Sequence, residues 1–135
     1  PDGDKSQGSD NVNIGWTGEN PALADSRLPL FTSLPIQRRF IACSPLLEEM
    51  DISPWLHRVD HVTVSGENGR EGRLCDYAWV LNLRQQCEKA GVTFLFKSTG
   101  TLFNRDGLTK RINPYKQGSL AKECNVNISD GKKLF

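Results

Sequence analysis

The stretch DHVTVSGENGREGRLCDYAWVLNLRQQCEKAGVTFLFKST, residues 60–99, reads as strand, loop, helix and strand in succession. His61-Val62-Thr63-Val64 is a short β-branched run that ends in the polar Ser65-Gly66-Glu67-Asn68. After a loop rich in glycine and charge, Asp76 is the N-cap of a helix. Trp79, Val80, Leu83, Cys87 and Ala90 recur at intervals of three or four along it, and Gly91 supplies the stop. Residues 92–96, Val-Thr-Phe-Leu-Phe, are apolar and aromatic on both sides, the pattern of a central strand buried on both faces, and they run into Lys97-Ser98-Thr99.

Two earlier runs have the same form. Val12-Asn13-Ile14-Gly15-Trp16 leads to Glu19-Asn20, and Phe40-Ile41-Ala42-Cys43 leads to Ser44. Between them, residues 22–34 place Leu23, Leu30, Phe31 and Leu34 along one face of a helix broken at Pro29. Ser53-Pro54 marks the N-cap and first residue of a short helix reaching about Val59. Alternation of this kind predicts an α/β fold of about four parallel strands with intervening helices, either half of a (β/α) barrel or an open parallel sheet. Parallel strands put all four polar termini at one edge, where α/β enzymes keep their ligands. After Gly100 the pattern weakens into a hairpin or extended tail turning at Asn104-Arg105-Asp106-Gly107, with a short helix over 118–123. The expected organisation is a disordered leader or boundary over 1–10, a half-barrel domain over 11–100 and a basic carboxyl-terminal extension packed on it over 101–135.

With 135 residues the chain is one domain or part of one. Seventeen basic against sixteen acidic residues give a net charge of +1, so no global field argues for nucleic acid or an anionic membrane. No apolar stretch approaches the roughly 20 residues that span a bilayer, and the opening PDGDKSQGSD has no signal-peptide core, so no membrane partner and a cytoplasmic location are expected. A chain beginning at Pro1 points to processing or excision from a longer protein. Cys43, Cys75, Cys87 and Cys124 are widely spaced with no C-x-x-C pair, a poor match to zinc or iron–sulfur sites and a fit to reduced, structural thiols.

Glu19, Glu67 and Lys97 are the charged residues nearest the strand ends. Two carboxylates and an ammonium there can move protons, pair with a ligand carboxylate or position a metal; they can equally form a structural ion-pair network. The 66–73 loop can present backbone N–H groups to an anion with Arg73 adding a fork of donors, or be an ordinary turn, since its glycines match no dinucleotide or Walker spacing. His57 and His61 lack metal-site spacing and read as surface or core residues, and Trp16, Trp55 and Trp79 as packing groups, with Trp16 near the ligand edge. Arg105, Lys110, Arg111, Lys116 and Lys122, with Tyr115 among them, form either a phosphate-contacting tail or a solvated surface.

The segments GWTGENPALADSRLPLFTSLP, FIACSPLLEEMDISPWL, VTVSGENGREGRLCDYAWVLNLRQQCEKAGVTFLFKSTGTLF and KRINPYKQG, taken in order, resemble the carboxyl-terminal half of a phage-type family of unknown function that looks like a radical-SAM-type barrel. The resemblance runs from about Asn11 to about Asn125. It implies that a [4Fe–4S] cluster and its cysteines belong to an amino-terminal half, the missing partner of this chain, so that neither the cluster nor S-adenosylmethionine is bound by this chain alone. It also implies that Glu19, Asn20, Arg27, Gly66, Glu67, Gly69, Arg73, Asp76 and Lys97 line the cavity facing S-adenosylmethionine or substrate, or brace its loops. Four positions depart from the family pattern: Ser44 stands where glutamate is usual, Ser65 for glycine, Asn68 for serine and Ser98 for glutamine. Ser44 and Ser98 thus mark either a different substrate or a decayed site.

Two functions follow as expectations. In the first, the chain is the substrate-side half of a radical-SAM-like enzyme, inactive in isolation, that positions a small molecule or nucleic acid. In the second, it is an inert binding module that recognises nucleic acid or a protein through Lys110, Arg111 and Lys116. An open half barrel also leaves sheet edges that invite a homodimer.

Overall fold

A computed structural model describes residues 13–18 and 38–129. Along the chain it contains β1 (Asn13–Gly18), β2 (Arg38–Cys43), a 3₁₀ helix (Ser53–Arg58), β3 (His61–Ser65), β4 (Leu74–Asp76), α1 (Tyr77–Ala90), β5 (Thr93–Ser98), β6 (Leu102–Arg105), β7 (Leu108–Arg111) and α2 (Pro114–Glu123). The expected leader over 1–10 and the broken helix over 22–34 lie outside the described residues, as do Glu19, Asn20 and Arg27.

α1 forms where its caps place it. The Asp76 carboxylate accepts a hydrogen bond from the Ala78 N–H, and Gly91 closes the helix in the left-handed conformation at φ 74°, its N–H reaching Cys87 O and Glu88 O. The face carrying Val80, Leu83 and Cys87 is buried in one core with Ile41, Cys43, Val62, Val64, Phe94 and Phe96. Ala90, expected on that face, is exposed. Trp55 and Trp79 pack partly buried against the core, and Cys43, Cys75 and Cys87 lie fully inside it. The short helix before β3 is 3₁₀ rather than α and begins without the expected Ser53 cap, because the Ser53 hydroxyl donates to the Asp51 carboxylate instead.

The architecture is mixed α/β with an open, not barrel-closed, sheet. β2, β3 and β5 run parallel in the registers Phe40↔His61, Ala42↔Thr63, His61↔Thr93 and Thr63↔Leu95, and β1 lies along the other side of β2 from Asn13↔Arg38 to Gly18↔Cys43. β5 is therefore the terminal strand, not the central one that its apolar composition predicts. Phe94 and Phe96 are buried while Leu95 is 37% exposed. The chain end supplies what a neighbouring strand would: Phe94 and Ile128 exchange backbone hydrogen bonds at 2.9 Å each way, and Asn127 Oδ1 accepts from the Phe96 N–H.

Residues beyond 100 form more than a tail. β6 pairs antiparallel with β7 through a two-residue turn at Asp106-Gly107, and parallel with β4, giving a second, mixed three-stranded sheet. The sheets meet at an aromatic cluster of Tyr77, Phe96 and Phe103, with Tyr77 edge-on to Phe103 at 5.8 Å and Phe96 5.9 Å from Phe103. α2 starts at Pro114 rather than near Gly118, with Asn113 Oδ1 capping the Tyr115 N–H, and packs beside β5.

Two glycines separate packing from propensity. A Cβ on Gly118, in α2, meets only the Lys97 carbonyl at ordinary contact distance, whereas one on Gly66 collides with the Thr99 carbonyl. Gly118→Ala is expected to raise stability by about 0.5–1 kcal/mol, and Gly66→Ala to lower it by about 1–3 kcal/mol, both read from urea unfolding midpoints; equal effects of the two substitutions would contradict this packing.

Candidate functional site

The carboxyl-terminal ends of β2, β3 and β5 open into three loops that share one edge. The Ser44 and Ser65 hydroxyls are hydrogen-bonded at 2.6 Å, tying the ends of β2 and β3. Gly66 N–H donates to Ser98 O at 2.9 Å, tying β3 to β5. Between these strands the register slips: Val64 faces Phe96 but Ser65 faces Ser98, leaving Lys97 as the extra residue of a bulge. Bulges re-aim side chains and are frequent beside active sites. Lys97 is exposed and makes no hydrogen bond or ion pair with the described residues.

The 66–73 loop is held from inside. Thr101 N–H donates to Glu67 O, Gly69 N–H to Thr101 Oγ1, and Gly72 N–H to Gly69 O. Glu67 folds back onto Arg73, whose Nε and Nη2 donate to its two carboxylate oxygens at 2.8 and 2.9 Å while the Arg73 N–H donates at 2.9 Å. This fork holds the Glu67 carboxyl well below the usual range, at about 2. The loop amides of Gly66, Gly69, Gly72 and Arg73, which a sequence reading offers to an anion, are thus engaged within the protein.

Gly100, at φ 74°, lies directly on the backbone of Gly66 and Glu67, and no Cβ fits at either glycine. Gly66 is therefore a packing glycine, while Gly69, at φ 123°, opens to free space. Asp76 serves as the cap of α1. Of the residues expected at the site, Ser44, Gly66, Glu67, Gly69, Arg73, Lys97 and Ser98 are brought to this edge or its loops.

Three groups escape sequence reasoning. Gln117 is 4% exposed; its Nε2 donates to Asn68 Oδ1 and Ile112 O, and its Oε1 accepts from the Ser98 hydroxyl. Thr101 Oγ1 donates to Asn68 Oδ1, and the buried Thr99 receives the Gln117 carbonyl on its N–H. The available signal is faint: Gln117 lies four residues before Ala121, so one face of α2 carries both to the interior. His61, a packing residue by sequence, contacts Thr93 Oγ1 through Nδ1 and Thr63 Oγ1 through Nε2, at 2.6 and 3.0 Å.

Among the described residues no three His, Cys, Asp or Glu side chains gather in a way that could hold a metal. Burial pushes the thiols of Cys43, Cys75 and Cys87 up to about 12, and the neighbouring Asp76 charge adds to this at Cys75 and the Cys43 thiolate at Cys87. No helix among the described residues is long and apolar enough to cross a membrane.

Residues 3–130 match the family described as "Protein of unknown function (DUF5131)", and the chain belongs to that family. Comparisons with curated proteins and with solved structures gave no significant match.

The Glu67–Arg73 pair sets a pH dependence. A carboxyl held low in the folded state adds stability that is complete above its unfolded value of about 4.3 and lost as pH falls through about 2. The stability advantage of the wild type over Glu67→Gln, measured by urea unfolding, is expected to close over that interval on acidification. About 1 M salt should shrink it, because Arg73 is solvent-exposed.

Proposed function

We propose that the chain is the substrate-side half of a radical-SAM-like (β/α) barrel enzyme. The observation that carries this reading is the convergence of the Ser44, 66–73 and 98–101 loops on the carboxyl edge of a parallel sheet, where α/β enzymes bind ligands. The sheet's two faces add support. Ile41, Val62, Val64, Phe94 and Phe96 are fully buried, whereas on the other face Phe40, Ala42 and Thr63 are half-buried and Leu95 is exposed, as suits a barrel interior awaiting its other half.

The described residues do not fit an iron–sulfur cluster, which needs several accessible thiolates: Cys43, Cys75 and Cys87 are buried and Cys124 is half-buried. In this reading the cluster belongs to the amino-terminal half, and S-adenosylmethionine supplies the radical chemistry when bound. The residues of this chain hold and orient. Arg73 and Glu67 stiffen the central loop, and the Ser44–Ser65 pair fixes two strand ends while leaving lone pairs for a ligand. Lys97 presents an ammonium to a carboxylate or phosphate of the substrate.

The test is a longer protein carrying both halves, reconstituted with iron and sulfide under reducing conditions. Cleavage of S-adenosylmethionine to deoxyadenosine and methionine is expected; a protein that binds no iron and releases no deoxyadenosine would overturn the proposal. Lys97→Ala should lower turnover about tenfold or more, the worth of one charge-assisted contact, with an unchanged unfolding midpoint.

A further inference from the structure

Beyond the strand-end edge, residues 108–122 contain Lys110, Arg111, Lys116 and Lys122 and no acidic residue, in a chain whose net charge is only +1. All of β7 is exposed. At the first turn of α2 the Tyr115 ring is 94% exposed, and no ring or guanidinium among the described residues stacks on it. Pro114 and the Asn113 cap fix the backbone that presents it. A cavity of about 520 Å³ is lined by Asn68, Gly69, Arg70, Thr101, Arg111 and Pro114, the residue before Tyr115. Arg111 Nη2 donates to Arg70 O, joining β7 to the 66–73 loop, and both arginines line the cavity, with no other side-chain hydrogen bond to the described residues.

From this juxtaposition we infer that the β7–α2 surface binds single-stranded nucleic acid, with one backbone phosphate in the cavity between Arg70 and Arg111 and one base stacked on Tyr115. A cavity of this size lies within the ordinary ligand range of ~300–1,000 Å³. Two guanidiniums at its walls match a phosphate in charge and in donor geometry. A rigidly presented aromatic face flanked by lysines is the feature that stacks an unpaired base, and duplex DNA offers no free base face to it. Glu67 is paired with Arg73; the carboxylates nearest in sequence are Glu71, beside Arg70, and Asp106 and Glu123, which flank residues 108–122, all three exposed and outside the cavity lining. The inference does not depend on the radical-SAM-like reading: the cavity shares the 66–73 loop and Thr101 with the strand-end edge, but nucleic-acid binding is read by a measurement that involves neither a cluster nor S-adenosylmethionine.

The test is fluorescence anisotropy of the full chain with a labelled oligo-dT about 12 nucleotides long and a duplex of equal length, between about 50 and about 200 mM salt. Single-strand binding that weakens with salt is expected. Tyr115→Ala should weaken it about tenfold to a hundredfold without changing the salt slope, and Tyr115→Trp should restore it. Arg70→Ala, whose side chain makes no hydrogen bond with the described residues, should flatten the log–log slope by about 0.7 for each phosphate no longer neutralised, with an unchanged unfolding midpoint. Three results would overturn the inference: no binding at low salt, equal affinity for duplex with no effect of Tyr115→Ala, or displacement by millimolar inorganic phosphate that marks a free-anion site.

Discussion

The backbone contact between Gly66 and Gly100 is the constraint on which the rest of the edge depends. Neither position has room for a Cβ, because the loop leaving β3 lies directly on the loop leaving β5. That approach lets Gly66 N–H reach Ser98 O and Thr101 N–H reach Glu67 O, so two loops far apart in sequence become one hydrogen-bonded unit. The chain leaves this unit in two directions, into β4 and into β6, which emerge side by side and pair in parallel. The second sheet is thus a consequence of the contact. The first sheet and α1 need only the apolar pattern, but β4, β6 and β7 need the glycines.

The same unit sorts the charged and polar groups into those committed to structure and those left for a ligand. Glu67 and Arg73 pair with each other, Asp76 caps α1, and Gln117 bridges Ser98 to Asn68 by hydrogen bonds. Buried polar groups gain from such full satisfaction and would be costly half-satisfied. Outward from the unit stand three cations, Lys97 at the bulge, Arg70 on the loop and Arg111 on β7, against the one exposed loop carboxylate of Glu71. The edge therefore presents positive charge on a rigid frame, which suits an anionic group on whatever it binds.

The sequence makes the local elements legible and hides the long-range ones. α1 is readable to its caps because Asp76, the three- and four-residue apolar intervals and Gly91 all lie within one helix length. The Asp106-Gly107 turn is readable for the same reason. β4 is three residues long and β7 carries no buried residue, so neither has a periodic signal to detect. The apolar composition of β5 misleads about its place because the chain end, rather than another strand of the sheet, covers it. At the site, Glu67, Arg73 and Lys97 lie at the edge or on its loops, but residue types offer no means of telling a mutually bonded pair from an ammonium that no described residue engages. The family match covers nearly the whole chain and carries no function with it.

Among the described residues, the β5 edge of the sheet is already covered. On the β5 side, Phe94 is already paired with Ile128 and the Phe96 N–H is taken by Asn127, so a further strand would have to displace residues 126–128, of which Val126 and Ile128 are buried in the core. On the β1 side, no described strand lies beyond Asn13–Gly18. Consecutive strands of a parallel sheet usually lie side by side, and here the order β1, β2, β3, β5 ends where Ile128 covers the sheet. The carboxyl edge at β5 is thereby bordered by the second sheet and α2 rather than by a further described strand. The Gly66–Gly100 unit sits at that border. It links the strand ends to β7 through the Thr101 N–H on Glu67 O and the Arg111 guanidinium on Arg70 O, so the contact that orders the strand ends also orders the second sheet.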